Sequence, residues 1–204
     1  PVAHGGRAED AFHVVAPSLP GYGFSGPTTD RGWSTRRVAQ AFVSLMAELG
    51  YERFAVVGHD RGARVAYRMA LDHPARVTAA AVVNVVPTLD QFERMASGPS
   101  LGYWPWFLLA QPAPFPERLI GADPGALVDH AFDTWTSRPG AVDEAARRAY
   151  RAALTPGAIA AICADYRAAF HIDRRHDAED RAARRRIEVP LLVARAAMEE
   201  TRAA

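Results

Sequence analysis

A run of β-forming residues, Phe54-Ala55-Val56-Val57, meets Gly58-His59-Asp60-Arg61-Gly62, and a helical pattern follows at once, Arg64-Val65-Ala66-Tyr67-Arg68-Met69-Ala70. Strand and helix separated by so few residues require a sharp turn. A side chain thrust out at the apex of such a turn strains the backbone, and small neighbours let the two elements close around it. The residue at that apex is Asp60, with glycines two positions away on either side.

An aspartate there suggests nucleophilic chemistry. A carboxylate is already deprotonated near neutral pH and can attack an electrophilic carbon directly, giving an ester. The helix N-terminus below it favours the charged form and offers free N–H groups. Arg61 and Arg64 are one helical turn apart, so both guanidinium groups can converge near Asp60. Two planar forks beside a nucleophile suit a substrate that carries its own carboxylate.

Elsewhere the pattern alternates strand and helix only up to a point. Phe12-His13-Val14-Val15-Ala16-Pro17 reads as a short strand that ends in the turn-rich Ser18 to Gly26. Ser34 to Leu49 reads as an amphipathic helix with an N-cap and a glycine stop at Gly50. Val77 to Val86 is nearly continuously apolar, as in a strand buried in a parallel sheet. From Pro87 to about Ile187 prolines, aromatics and short Ala/Arg-rich helical patterns take over, and Val189 to Ala194 reads as a return to strand. Arg181 to Arg186 reads as a solvated helix face or a linker. The 24 basic residues are all Arg and are balanced by 23 acids, so no nucleic-acid footprint is expected. No apolar run reaches the ~18 residues of a membrane helix, and a single cysteine, Cys163, excludes an internal disulfide and makes a cytoplasmic setting the default.

Several segments together resemble the fluoroacetate (haloacetate) dehalogenases, which are α/β-hydrolases related to epoxide hydrolases. They are Val57 to Arg64, Tyr67 to Pro74, Val86-Pro87-Thr88, Gln111 to Pro114 with Ile120 to Pro124, and Asp165-Tyr166-Arg167-Ala168. The resemblance runs from about Gly32 to the last strand. It implies an α/β fold in which residues 1–87 form a partial α/β-hydrolase core carrying the nucleophile elbow. Residues 88–187 would form an inserted helical cap, and 188–204 a return to the core and a tail. It also implies two displacements: Asp60 expels halide from carbon to give an ester, and a water activated by a His then hydrolyses it. Arg61 and Arg64 match the carboxylate clamp; Trp106 and Tyr166 match two cap residues that hydrogen-bond the departing halide. Neither cofactor nor metal is needed, and homodimerisation is expected by family analogy alone.

The chain departs from the family in three places. Pro105 stands where the family has a third halide donor, a His, and donates nothing. Asn84 stands after the Val82-Val83 run where the family has the acid that orients the base; its amide can hold a ring N–H without supplying charge. No histidine follows Leu191, where the base is expected. His59 is expected to pack or bond locally, His73 to cap a helix end, and His4, within His4-Gly5-Gly6, to lie in a loop. The leading expectation is a haloacid dehalogenase whose sequence is truncated at both ends. The Pro17 to Gly26 loop favours an epoxide hydrolase instead, and the missing base leaves an inactive relic or a carboxylate-binding module as the third reading.

Overall fold

The computed structural model describes residues 11–26, 33–98, 101–136, 138 and 140–195. Its centre is a parallel three-stranded sheet in the order β1 (Phe54–His59), β2 (Val77–Val83), β3 (Leu191–Ala194). The register pairs His59 with Val83 and Val83 with Ala194, so Asp60, Asn84 and Arg195 come next along one edge, the carboxyl ends of the strands. Ligands of open parallel sheets bind outside that edge.

Two helices cover the sheet. In α1 (Thr35–Glu48) the Ser34 hydroxyl accepts the Arg37 N–H at 3.3 Å, the expected N-cap. At its other end Gly50 adopts φ 85°, and the N–H groups of Gly50 and Tyr51 donate to the carbonyls of Ala47 and Met46 at 2.9 and 2.8 Å. Only a left-handed residue allows both bonds, which is why the glycine ends the helix. Helix α2 (Arg61–Asp72) connects β1 to β2, and its Val65, Met69 and Ala70 pack with Val38, Ala39 and Val43 of α1 and with Val77 and Ala80 of β2.

Between β2 and β3 run α3 (Thr88–Ser97), α4 (Trp104–Leu109), α5 (Phe115–Ala122), α6 (Pro124–Trp135), α7 (Glu144–Ala153), α8 (Pro156–Ala168), a π-helical turn (Ala169–Asp173) and α9 (Arg174–Ala182). Asp123, Asp143 and Thr155 each accept a backbone N–H at the start of α6, α7 and α8. These helices enclose a second core of Met95, Trp106, Leu109, Ile120, Ile159, Cys163 and Tyr166. None of the helices among the described residues is long and apolar enough to cross a membrane.

One expectation about the fold fails and another gains detail. Phe12 to Pro17 forms no strand, and Phe12 and Val14 are exposed. β1 pairs only with β2 among the described residues, so the segment has no strand beside it to take its N–H and C=O groups. Arg181 to Arg186 are exposed, as expected of a solvated face, and two of them also make ion pairs: Arg181 with Glu93 and Asp90 at 2.7 and 3.1 Å, and Arg185 with Asp180 and Asp72 at 2.6 and 3.2 Å. Glu93, Asp90 and Asp72 lie on α3 and α2, far away in sequence, where no local pattern reveals them.

Candidate active site

The turn between β1 and α2 is as sharp as the sequence demands. Asp60 sits at φ 49° and ψ −121°, a conformation unfavourable for any residue with a Cβ. A Cβ added at Gly58 would lie 2.4 Å from the Gly62 carbonyl oxygen and 2.6 Å from Ala63 N, so glycine is required for the strand and helix to meet. The same test at Gly62 meets nothing within 4 Å, so this second glycine is not what permits the closure. Asp60 uses its carbonyl to accept the N–H groups of Ala63 and Arg64, and its side chain caps nothing, leaving the carboxylate exposed for other work.

Arg61 and Arg64, both buried, are engaged differently. Arg61 donates Nε and Nη2 to the two carboxylate oxygens of Asp165 at 2.7 and 2.5 Å, and the Tyr22 hydroxyl donates to the same carboxylate at 2.9 Å. Burial pushes the Arg61 guanidinium down, and Asp165 overrides it, holding the group above the ordinary arginine value. Arg64 has no carboxylate in ion-pair contact among the described residues. It donates Nη1 to the Val86 carbonyl at 2.9 Å and to the Thr88 hydroxyl at 3.2 Å, while its buried Nε has no partner among the described residues. Burial and then the Arg61 charge hold it below the usual arginine range, while the charges of Tyr67 and Asp60 pull the other way.

Thr88 belongs to a buried chain of hydrogen bonds. The Thr88 hydroxyl contacts the Tyr67 hydroxyl at 3.0 Å, and Tyr67 donates to Asp177 at 2.9 Å. Asp177 in turn accepts from Arg68 at 2.6 Å and from the Leu89 N–H at 3.1 Å. Arg64 is therefore held by a relay that ends on α9.

Trp106 and Tyr166 meet edge-on, with ring centroids 4.9 Å apart. The Arg64 guanidinium lies 4.9 Å from the Trp106 ring centre, and that of Arg61 lies 5.5 Å from Trp106 and 5.1 Å from Tyr166. Such contacts favour a cation that has lost its water. Burial first, and then the Asp60 charge, raise the Tyr166 phenol, so it keeps its proton. Asp60, Arg61, Arg64, Trp106 and Tyr166 are thus brought together.

Asn84 follows β2 with φ 57°, its N–H donating to the Ala194 carbonyl at 2.9 Å. Asparagine tolerates that left-handed conformation better than most residues. Pro105 occupies the first turn of α4, where a backbone N–H has no intrahelical partner to lose. Among the described residues no histidine ring hydrogen-bonds or stacks with Asp60, Arg61, Arg64, Trp106 or Tyr166. His59 is exposed rather than packed, because alternation along β1 turns it outward; His73 does close α2, its N–H on the Met69 carbonyl. His4 lies outside the described residues. Among those residues no cluster of His, Cys, Asp or Glu is placed to hold a metal.

The alpha/beta hydrolase fold family matches residues 7–198. The chain belongs to the α/β-hydrolase fold family. Within it, the chain is 39% identical over 188 residues to a fluoroacetate dehalogenase of a Burkholderia species, covering 89% of this chain and 61% of that protein. A structure from Pseudomonas aeruginosa, provisionally named an epoxide hydrolase, superposes with a TM-score of 0.78 at 43% identity, over 86% of this chain and 60% of the other. Epoxide hydrolase 1 of Oryctolagus cuniculus is 40% identical over 77 residues, 38% of this chain and 17% of that one. The chain therefore spans about three fifths of the length of the first two relatives. Both names anticipated from the motifs, dehalogenase and epoxide hydrolase, recur among these α/β-hydrolase relatives.

Sequence reasoning missed Asp165, Thr88 and Tyr22. Asp165 and Thr88 lie inside motifs that carry the resemblance, yet their partners are 104 and 24 residues away, a distance that no spacing rule spans.

Proposed function

We propose that this chain carries the nucleophile half of a haloacid dehalogenase, with residues 88–187 acting as a helical cap over the core. One observation carries the reading. Asp60 stands exposed at a strained apex, beside a buried Arg64 that has no carboxylate partner among the described residues. An α-halo carboxylate would place its carboxylate against the Arg64 guanidinium and its halogen-bearing carbon on Asp60. A carboxylate oxygen of Asp60 forms the new C–O bond as the C–halogen bond breaks, and halide leaves with the electron pair. Trp106 and Tyr166 supply N–H and O–H donors for the departing halide, and the raised phenol of Tyr166 keeps that donor protonated. Arg61 braces the two rings while bound to Asp165. Asn84, at the adjacent strand end, would orient the base of the second step. No cofactor enters this chemistry; the lone buried Cys163 fits a cytoplasmic setting, and a homodimer is proposed by family analogy alone.

The same groups favour a second reading. Opening of an epoxide by Asp60 needs a proton donor for the alkoxide, and Tyr166 feels the Asp60 charge directly. Incubation with bromoacetate, followed by intact-mass spectrometry and peptide mapping, separates the readings. One carboxymethyl group on Asp60, lost in Asp60→Asn, is the expected outcome. Burial pushes the Cys163 thiol up to about 11, so it does not compete. A hydroxyalkyl ester formed only with styrene oxide would favour the epoxide reading, and no adduct with either reagent would end both.

A further inference from the structure

Arg61 and Arg64 leave the same helix one turn apart, but they do not offer their charges equally. The geometry points to Asp165 as a specificity-determining residue: a resident carboxylate that neutralises Arg61, leaves Arg64 as the cation open to an incoming anion, and limits the site to substrates with a single carboxylate. This rests on the reading of the Asp60 and Arg64 region as a carboxylate-accepting site and adds to it the group that sets how much negative charge the site accepts.

Four observations carry it. The Asp165 carboxylate takes the Arg61 fork with both oxygens, at 2.7 and 2.5 Å, the arrangement a substrate carboxylate would need. The Tyr22 hydroxyl donates to it as well, and the side chains of Arg61 and Asp165 are only 7% and 15% exposed, so the pair is shielded from competing water and salt. Asp165 precedes Tyr166 on α8, so one helix delivers both the counter-ion and a ring of the site. The cavity that Arg61 lines with Tyr22, Trp33, Thr35 and Asp165 measures only about 10 Å³. Such a volume holds one water and no substrate.

Charge then decides selectivity. Asp60, Arg61, Arg64 and Asp165 together carry no net charge, and Arg64 is the member not already tied to an acid. A monocarboxylate entering here finds one cation. A dicarboxylate brings a second charge into a poorly solvated site with nothing to offset it.

NMR titrations of the 204-residue chain with acetate and malonate, neither of which can react, test this. The unmodified chain is expected to bind acetate at least as tightly as malonate. Asp165→Asn keeps the shape of the side chain and removes its charge, and is expected to tighten malonate binding about tenfold, reversing the preference. Arg64→Gln is expected to lose acetate binding in either background. Malonate binding more than about tenfold tighter than acetate in the unmodified chain would mean that two cations are free, and would overturn the role of Asp165 even if the variant failed to fold. An Asp165→Asn variant that melts cooperatively with unchanged affinities would do the same while leaving the carboxylate site standing. If the unmodified chain binds neither anion, the carboxylate-site reading itself falls, and the role of Asp165 with it.

Discussion

The two ends of α2 are built from the same materials to opposite effect. At its C-terminal end Arg68, fully buried, donates to Asp177 at 2.6 Å, to Asp180, and to Asp72 at 3.4 Å, and Arg36 and Arg185 bring further positive charge to the same acids. Every charge there has an opposite in contact. At the N-terminal end Asp60 is held at positive φ, and Arg64 has no acid in ion-pair contact among the described residues. One end of the helix is tied by ion pairs to α9, and the other keeps an unmatched cation beside a strained residue. Stability and function occupy different ends of one element, as expected where a site departs from what folding alone would choose.

The contrast predicts effects of opposite sign. Arg68→Ala should cost about 3–5 kcal/mol, because removing the arginine leaves Asp177 and Asp180 buried without their main counter-charge. Urea unfolding of the variant measures it, and a loss below about 1 kcal/mol would show that Arg36 and Arg185 suffice on their own.

What could be read in the sequence divides along a similar line. Ser34 as a cap, Gly50 as a stop, the buried β2 and the strained turn at Asp60 follow from residues within a few positions of one another, and the structure contains each of them. Trp106 and Tyr166 were found only because motifs place them, since an aromatic in a helical segment is ordinarily core, and both are also part of the second core. The Arg61–Asp165 pair was out of reach. Its partners are 104 residues apart, and nothing in Asp165-Tyr166 distinguishes an internal counter-ion from a solvated acid. Phe12 to Pro17 failed for the converse reason: β-forming residues make a strand only where another strand lies alongside.

Near the site end, Asp173 extends the comparison. It is fully buried; its Oδ1 accepts the Thr35 N–H at 2.9 Å, and Oδ2 has no partner among the described residues. Burial pushes its carboxyl up to about 6, with Arg61 and the Thr35 N–H opposing. The native chain then holds this proton to higher pH than the unfolded chain, whose Asp releases it near ~4. Between those values the folded state binds more protons, so this group makes stability fall as pH rises from about 4 to about 6 and stay low above. Asp173→Asn should remove that dependence and raise stability at pH 7 by up to about 3 kcal/mol. Parallel unfolding curves for variant and parent across that range would check it; an unchanged difference from pH 4 to pH 7 would mean that Asp173 does not titrate there.

The smallest effect is the most direct measure of strain at the apex. Asp60 occupies φ 49°, a conformation that costs a residue with a Cβ about 1–3 kcal/mol and a glycine very little. Glycine also loses more freedom on folding, by about 0.5–1 kcal/mol, which offsets part of the relief. Asp60→Gly should therefore stabilise the chain by about 1 kcal/mol while abolishing ester formation. Asp60→Asn, which keeps the Cβ, should abolish the ester without that gain. The pair separates the two roles of position 60, since only the glycine relaxes the backbone while both remove the nucleophile. Equal stabilities for the two variants would mean that the elbow is not strained, and the contrast between the ends of α2 would reduce to one of charge alone.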